Sequence, residues 1–110
     1  MKTLLTALAM LLVSAPTLAP AQEPDYAALW AAGQSYAEFR SQVSARRSLW
    51  ERNDGAAGVP AALLARARAV PGAWRLLVVA FDRCSDSVST LPYIAGLTAR
   101  LDRVELRVIP

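Results

Sequence analysis

The chain is 110 residues long, which accommodates one domain. It holds no histidine and a single cysteine, Cys84, so His-dependent catalytic dyads and triads, the common zinc sites and any intramolecular disulfide framework are excluded. The formal charge is only +3, and Arg40, Arg46, Arg47, Arg66, Arg68, Arg75 and Arg107 are scattered among acids or along helix faces. They form no basic stripe with interleaved aromatics, so nucleic acid is not an expected partner.

At the N-terminus, Lys2 precedes an apolar run from Leu4 to Val13, and Ala19-Pro20-Ala21 is a small-x-small sequence before Gln22. The run of about ten residues is too short to cross a hydrocarbon core of roughly 30 Å. The whole pattern is that of a secretory signal peptide, with an uncleaved N-terminal anchor as the competing reading. Residues 1–21 are therefore read as a leader, 22–73 as an N-terminal helical segment and 74–110 as a partial α/β domain. Export to the periplasm or beyond the cell is expected, with no stable membrane anchor after cleavage. Loss of Lys2 would leave eleven arginines against nine acidic residues, a net of +2.

The first helix is predicted from Asp25, as cap, to Ala32, ending near Gly33. Ser35-Tyr36-Ala37-Glu38 is a capping box, and it opens a helix expected to run to about Asn53. Tyr36, Phe39, Val43 and Trp50 share one face of it, while Arg46, Arg47 and Glu51 face solvent. That spacing makes the aromatics core residues rather than a ligand cage. Asp54-Gly55-Ala56-Ala57-Gly58 reads as a loop. Pro60 suits the first turn of a helix to Ala69, stopped by Pro71-Gly72. Trp74 is expected to pack at the start of a strand whose apolar run, Leu76 to Ala80, is short enough to be buried on both faces.

From Ser85 the period changes. Val88, Leu91, Ile94 or Ala95, Leu97 or Thr98, and Leu101 recur every three to four residues, with Asp86 in the first turn and Arg100 near the far end. Val104 to Ile109 then alternates apolar and polar residues, as a strand with one wetter face does. Strand, helix, strand in this space is a βαβ unit with parallel strands. The fold class is α/β: N-terminal helices followed by one such unit.

Cys84 lies at the junction of strand and helix, in Asp82-Arg83-Cys84-Ser85-Asp86-Ser87. Amides at a helix N-terminus can lower a thiol's pKa below its free value of about 8.5. Arg83 would add to that effect, whereas Asp82 and Asp86 would oppose it. The competing reading is that a lone cysteine is a small buried hydrophobe.

Leu76 to Leu101 resembles the thioredoxin-like fold, in particular bacterial thioredoxin family proteins whose active-site strand leads into a tryptophan-cysteine-glycine-aspartate type sequence. The matching features are the apolar strand, Asp82, Cys84 opening a helix, Asp86, and Pro92 eight residues beyond Cys84. Thioredoxins carry there the proline that kinks the active-site helix. Two positions depart from the pattern: Arg83 replaces the usual tryptophan, and Ser87 replaces the resolving cysteine. The family's cis-proline loop, hairpin and final helix would lie beyond Pro110, so the resemblance implies an incomplete domain.

The resemblance implies thiol–disulfide chemistry with Cys84 as nucleophile and Asp82, Arg83, Ser85, Asp86, Ser87 and Pro92 as its surroundings. Ser87 cannot resolve a mixed disulfide, so the exchange would be monothiol, toward a thiol- or disulfide-containing protein or a small thiol. The alternatives are a non-enzymatic thioredoxin-like binding module and an inactive truncated fragment. No nucleotide loop or haem motif is present, and Asp82, Asp86, Asp102 and Glu105 lack clustered ligand spacing, so neither cofactor nor metal is expected.

Overall fold

The computed structural model describes residues 19–110, so most of the leader assigned to residues 1–21 lies outside the described residues. In chain order the elements are α1 (Tyr26–Ala32), α2 (Tyr36–Gln42), α3 (Arg47–Ala56), α4 (Ala61–Arg68), β1 (Trp74–Val79), α5 (Ser85–Thr98) and β2 (Val104–Ile109). The class is the expected α/β one. Strands β1 and β2 pair in parallel from Trp74 opposite Val104 to Val79 opposite Ile109. On the side of β2 away from β1, Gln34 bridges Val108 through two backbone hydrogen bonds of 2.9 and 2.8 Å.

Local chemistry accounts for most of the boundaries. The Asp25 carboxylate accepts the Ala28 amide at the start of α1. The capping box at α2 is complete: Ser35 Oγ accepts the Glu38 amide, and the Glu38 carboxylate accepts the Ser35 amide. That bond to Ser35 also holds the Glu38 carboxyl below the usual carboxylate range. Pro60 is the N-cap of α4, one residue before the position expected of it.

The core is built from α2, α3, α5 and one face of the sheet: Phe39, Val43, Trp50, Ala80, Val88, Leu91 and Val108 are buried together. Phe39 and Trp50 meet edge to face with ring centroids 5.4 Å apart, a favoured aromatic geometry. Trp50 is wholly inaccessible, and its truncation to alanine would cost about 3–5 kcal/mol. The opposite face of the sheet carries α1. There Arg107 donates to the Trp30 carbonyl, and the Arg75 and Arg107 guanidiniums lie 5.3 and 4.9 Å from the Trp30 ring centroid. Two glycines permit close approach. A Cβ on Gly33 would lie 3.0 Å from Arg107 Cβ, and one on Gly96 would lie 2.9 Å from the Ala57 carbonyl oxygen, where α5 crosses the end of α3.

Four expectations are corrected. The single helix from Ser35 to about Asn53 is two helices, broken between Gln42 and Arg47, with Arg46 in the left-handed region at φ 53°. Its hydrophobic face reads through the break because both halves bury their apolar residues in the same core. What turns the chain is a bond from far away, since the amides of Ser44 and Ala45 are taken by Asp82. The loop assigned to Asp54–Gly58 is helical as far as Ala56. This places Asp54 against α2, where its carboxylate accepts from the Tyr36 hydroxyl and from Arg40 Nε at 2.7 Å.

The first strand begins at Trp74 and is not buried on both faces. Among the described residues it has one neighbouring strand, and Leu76, Val79 and the following Phe81 are exposed. Trp74 is 52% exposed rather than packed, with its indole N–H donated to the Pro71 carbonyl. The apolar run therefore reaches a mostly open surface on β1 and closes into the core only at Ala80.

Candidate functional site around Cys84

After β1 the chain enters the core at Ala80 and turns. The Cys84 amide donates to the Phe81 carbonyl at 3.1 Å, and the Val88 amide donates back to the Cys84 carbonyl at 3.1 Å to start α5. Cys84 is thus the N-cap of α5, with extended backbone angles of −75° and 126°. Its side chain is half-buried and free of any disulfide, which removes the reading of a sealed core cysteine.

The un-ionised sulfur closes no capping hydrogen bond, but the groups around it favour the thiolate. The Ser87 amide, then the Ser87 hydroxyl and the Asp86 amide, hold the Cys84 pKa below the ordinary thiol range. Partial burial and the Asp86 charge act in the opposite direction and are outweighed. The competition between helix-end amides and neighbouring acids, open in the sequence, is decided in favour of the amides.

The other sequence candidates divide into two groups. Ser87 and Asp86 act on the sulfur. Ser87 Oγ also accepts the Phe81 amide at 3.2 Å, so the hydroxyl oxygen is engaged as an acceptor while its proton remains available to the sulfur. Asp82 does not oppose the thiolate as expected. Its carboxylate is turned to the Ser44 and Ala45 amides, which hold it below the usual carboxylate range. The Arg83 charge bears on Asp82 rather than on the thiol. Ser85 is exposed in the first turn of α5. Pro92 lies inside α5 and is buried on its core face, so it shapes the helix rather than touching the sulfur.

Beside Cys84 a groove of about 300 Å³ is walled by Val79, Phe81, Ser87, Thr90, Leu91 and Ile94. Its lining is mainly apolar, and Cys84, Asp86 and Ser87 are its polar members at the start of α5. Ser44, Trp50 and Asn53 also support this end of the fold: Trp50 Nε1 donates to the Asp82 carbonyl at 2.9 Å and Asn53 Nδ2 to the Val88 carbonyl at 2.7 Å. The sequence marks Trp50 as a core residue but not its bond to Asp82, and nothing nearby marks Ser44 or Asn53, because the partners are more than thirty residues away. Among the described residues, no group of three or more acidic or thiol ligands converges on a metal-sized site. None of the described helices is long and apolar enough to cross a membrane.

A cysteine capping the helix of a parallel βαβ unit, with a proline buried further along that helix, defines a thioredoxin-like class of site. The family model described as Thioredoxin matches residues 33–110, and the chain belongs to that family. The matched segment starts just before Gln34, which bridges β2, and takes in the whole core. No curated protein and no solved structure matches the chain. Family membership supports a thioredoxin-type redox function in general terms.

Proposed function

We propose that this chain is an exported thioredoxin-family protein that performs monothiol exchange through Cys84. The Cys84 thiolate attacks one sulfur of a substrate disulfide; a Cys84–substrate disulfide forms and the other sulfur leaves as a thiolate that takes up a proton. An external thiol, ionised to its thiolate, then attacks the substrate sulfur of the mixed disulfide. The products are a new disulfide and the regenerated Cys84 thiolate. Ser87 takes no part in resolution because a hydroxyl is not a sulfur nucleophile. The partner is a thiol- or disulfide-containing protein or a small thiol, and the apolar groove wall of Val79, Phe81 and Ile94 gives its flanking groups a surface to cover. Export rests on the leader pattern of Lys2, Leu4–Val13 and Ala19-Pro20-Ala21, with a periplasmic or secreted destination.

The observation that carries the reading is the helix-capping position of a half-exposed Cys84 whose ionised form is favoured by Ser87 and Asp86. The test is the rate of iodoacetamide alkylation against pH, with and without denaturant. A midpoint below about 8.5 that rises to that value on unfolding supports an activated thiol. An unchanging midpoint near 8.5, or protection until denaturant is added, rejects it.

A second reading follows from Ser87. A site without an internal resolving thiol can hold a partner covalently instead of turning over. Incubation with glutathione disulfide, followed by reduced glutathione, separates the two by the lifetime of the mixed disulfide. Rapid release indicates exchange, and persistence indicates a holding module.

A further inference from the structure

The turn that delivers Cys84 to the end of α5 is gripped from two sides. On one side, Asp82 Oδ2 accepts the Ala45 amide at 2.9 Å, the Ser44 amide at 3.0 Å and the Ser44 hydroxyl at 3.3 Å. Those donors belong to the corner between α2 and α3, where Arg46 is left-handed and α3 has no side-chain cap of its own. The carbonyl of the same Asp82 accepts the indole N–H of the fully buried Trp50 at 2.9 Å. On the other side, the Phe81 amide donates to Ser87 Oγ in the first turn of α5.

We propose that Asp82 is a positioning residue for Cys84: it clamps the Phe81–Cys84 turn to the α2–α3 corner and thereby holds the sulfur against the donors of Ser87 and Asp86. The proposal rests on the reading of Cys84 as an exchange thiol. Three donors converge on one carboxylate oxygen, an arrangement suited to an anion with several lone pairs and charge-assisted bonds. The indole fixes the peptide unit that follows Asp82, and the carboxylate fixes the side chain, so the turn has little freedom to rotate. The donors that favour the thiolate stand on α5, which packs on α3. A turn tied to the corner ahead of α3 therefore keeps sulfur and donors in one frame.

The test uses the full chain with Asp82→Ala and Asp82→Asn. Two quantities are read: the pH midpoint of Cys84 alkylation, and hydrogen exchange of the Phe81 amide. Near-ultraviolet circular dichroism reports the packing of Trp50. The expected result is a midpoint displaced upward toward the ordinary thiol value with tryptophan packing retained. The Phe81 amide should exchange at least about tenfold faster, as befits loss of hydrogen bonds to a charged group. With a depressed wild-type midpoint, a folded variant in which either quantity keeps its wild-type value overturns the clamp.

Should Asp82→Ala fail to fold, Asp82→Asn, which keeps the size of the side chain and removes the charge that the Ser44 and Ala45 donors converge on, decides in the same way. A wild-type midpoint already at the ordinary thiol value defeats the exchange reading alone, and the Phe81 amide then upholds or overturns the clamp by itself. A low wild-type midpoint that Asp82→Ala leaves in place overturns only the clamp.

Discussion

Asn53 donates its side-chain amide to the carbonyl of Val88 at 2.7 Å, and Val88 is the residue four positions before Pro92. A proline inside a helix has no N–H to return to the carbonyl four residues back. That carbonyl is therefore the acceptor α5 leaves unserved, and α3 supplies the missing donor. The proline-bearing helix and the helix packed on it are matched by one hydrogen bond.

Asn53→Ala should accordingly destabilise the fold by about 1–3 kcal/mol, the cost of a buried carbonyl without a partner. In a Pro92→Ala background the new amide at position 92 serves Val88, and the same change should cost less than about 1 kcal/mol. Urea unfolding of the two single variants and the double variant measures the difference. Equal costs in both backgrounds would show that the two residues are independent.

Ser87 is expected to matter as a donor and not as a nucleophile. Ser87→Ala should raise the midpoint of Cys84 alkylation and slow the reaction near neutrality by about 2- to 10-fold, the range of one lost hydrogen bond. Ser87→Cys should shorten the lifetime of the glutathione mixed disulfide, because an internal thiolate can then attack Cys84. Stopped alkylation time courses and mass spectrometry of the adduct read the two effects.

The depressed Cys84 pKa has a stability consequence of definite sign. The folded state favours the thiolate, so its contribution is present above the unfolded thiol value of about 8.5 and is lost as pH falls through the lower folded value. Compared with Cys84→Ala, the wild type should gain stability as pH rises through that window. Asp82 behaves alike at lower pH. Its contribution is present above about 3.9 and is lost as pH falls through its depressed folded value. Asp82→Asn should therefore flatten the acid limb of the stability curve while leaving its shape above that limb unchanged.

Tyr36 has the opposite sign. Burial, reinforced by its bond to the Asp54 carboxylate, pushes the phenol pKa well above its ordinary value. The bond's contribution is fully present below about pH 10 and disappears as pH rises through the folded value. Tyr36→Phe should cost about 0.5–1.5 kcal/mol near neutrality, with the deficit shrinking only in strong alkali. Chemical denaturation across the alkaline range checks it.

Two glycines in helices should respond in opposite directions to alanine. A methyl group on Gly96 would meet the Ala57 carbonyl oxygen at 2.9 Å, whereas one on Gly55 meets nothing within 4 Å. Gly96→Ala should destabilise by about 1–3 kcal/mol through overpacking. Gly55→Ala should stabilise by about 0.5–1 kcal/mol through the reduced entropy of the unfolded chain. Thermal melts of the pair are sufficient.

The sequence by itself determined what local chemistry and periodicity control. Asp25, the Ser35–Glu38 box, Cys84 at the head of α5 and the pattern Val88, Leu91, Ala95, Thr98 all sit where short-range spacing puts them, because caps and helix faces are set within one or two turns. The parallel pairing of β1 with β2 also follows from the order strand, helix, strand. Tertiary structure decided the rest. The break after Gln42 depends on Asp82, the placement of Asp54 depends on Tyr36 and Arg40, and the tolerance of Pro92 depends on Asn53. Each of these is a hydrogen bond between residues distant in the chain, and such bonds leave no periodic trace in sequence. The exposure of β1 was hidden for a related reason: an apolar run records how well a strand can be covered, while the neighbouring elements decide whether it is. At Cys84 both levels meet, since the sequence places the thiol at a helix end, and the fold turns Asp82 to the α2–α3 corner and brings Ser87 to the sulfur.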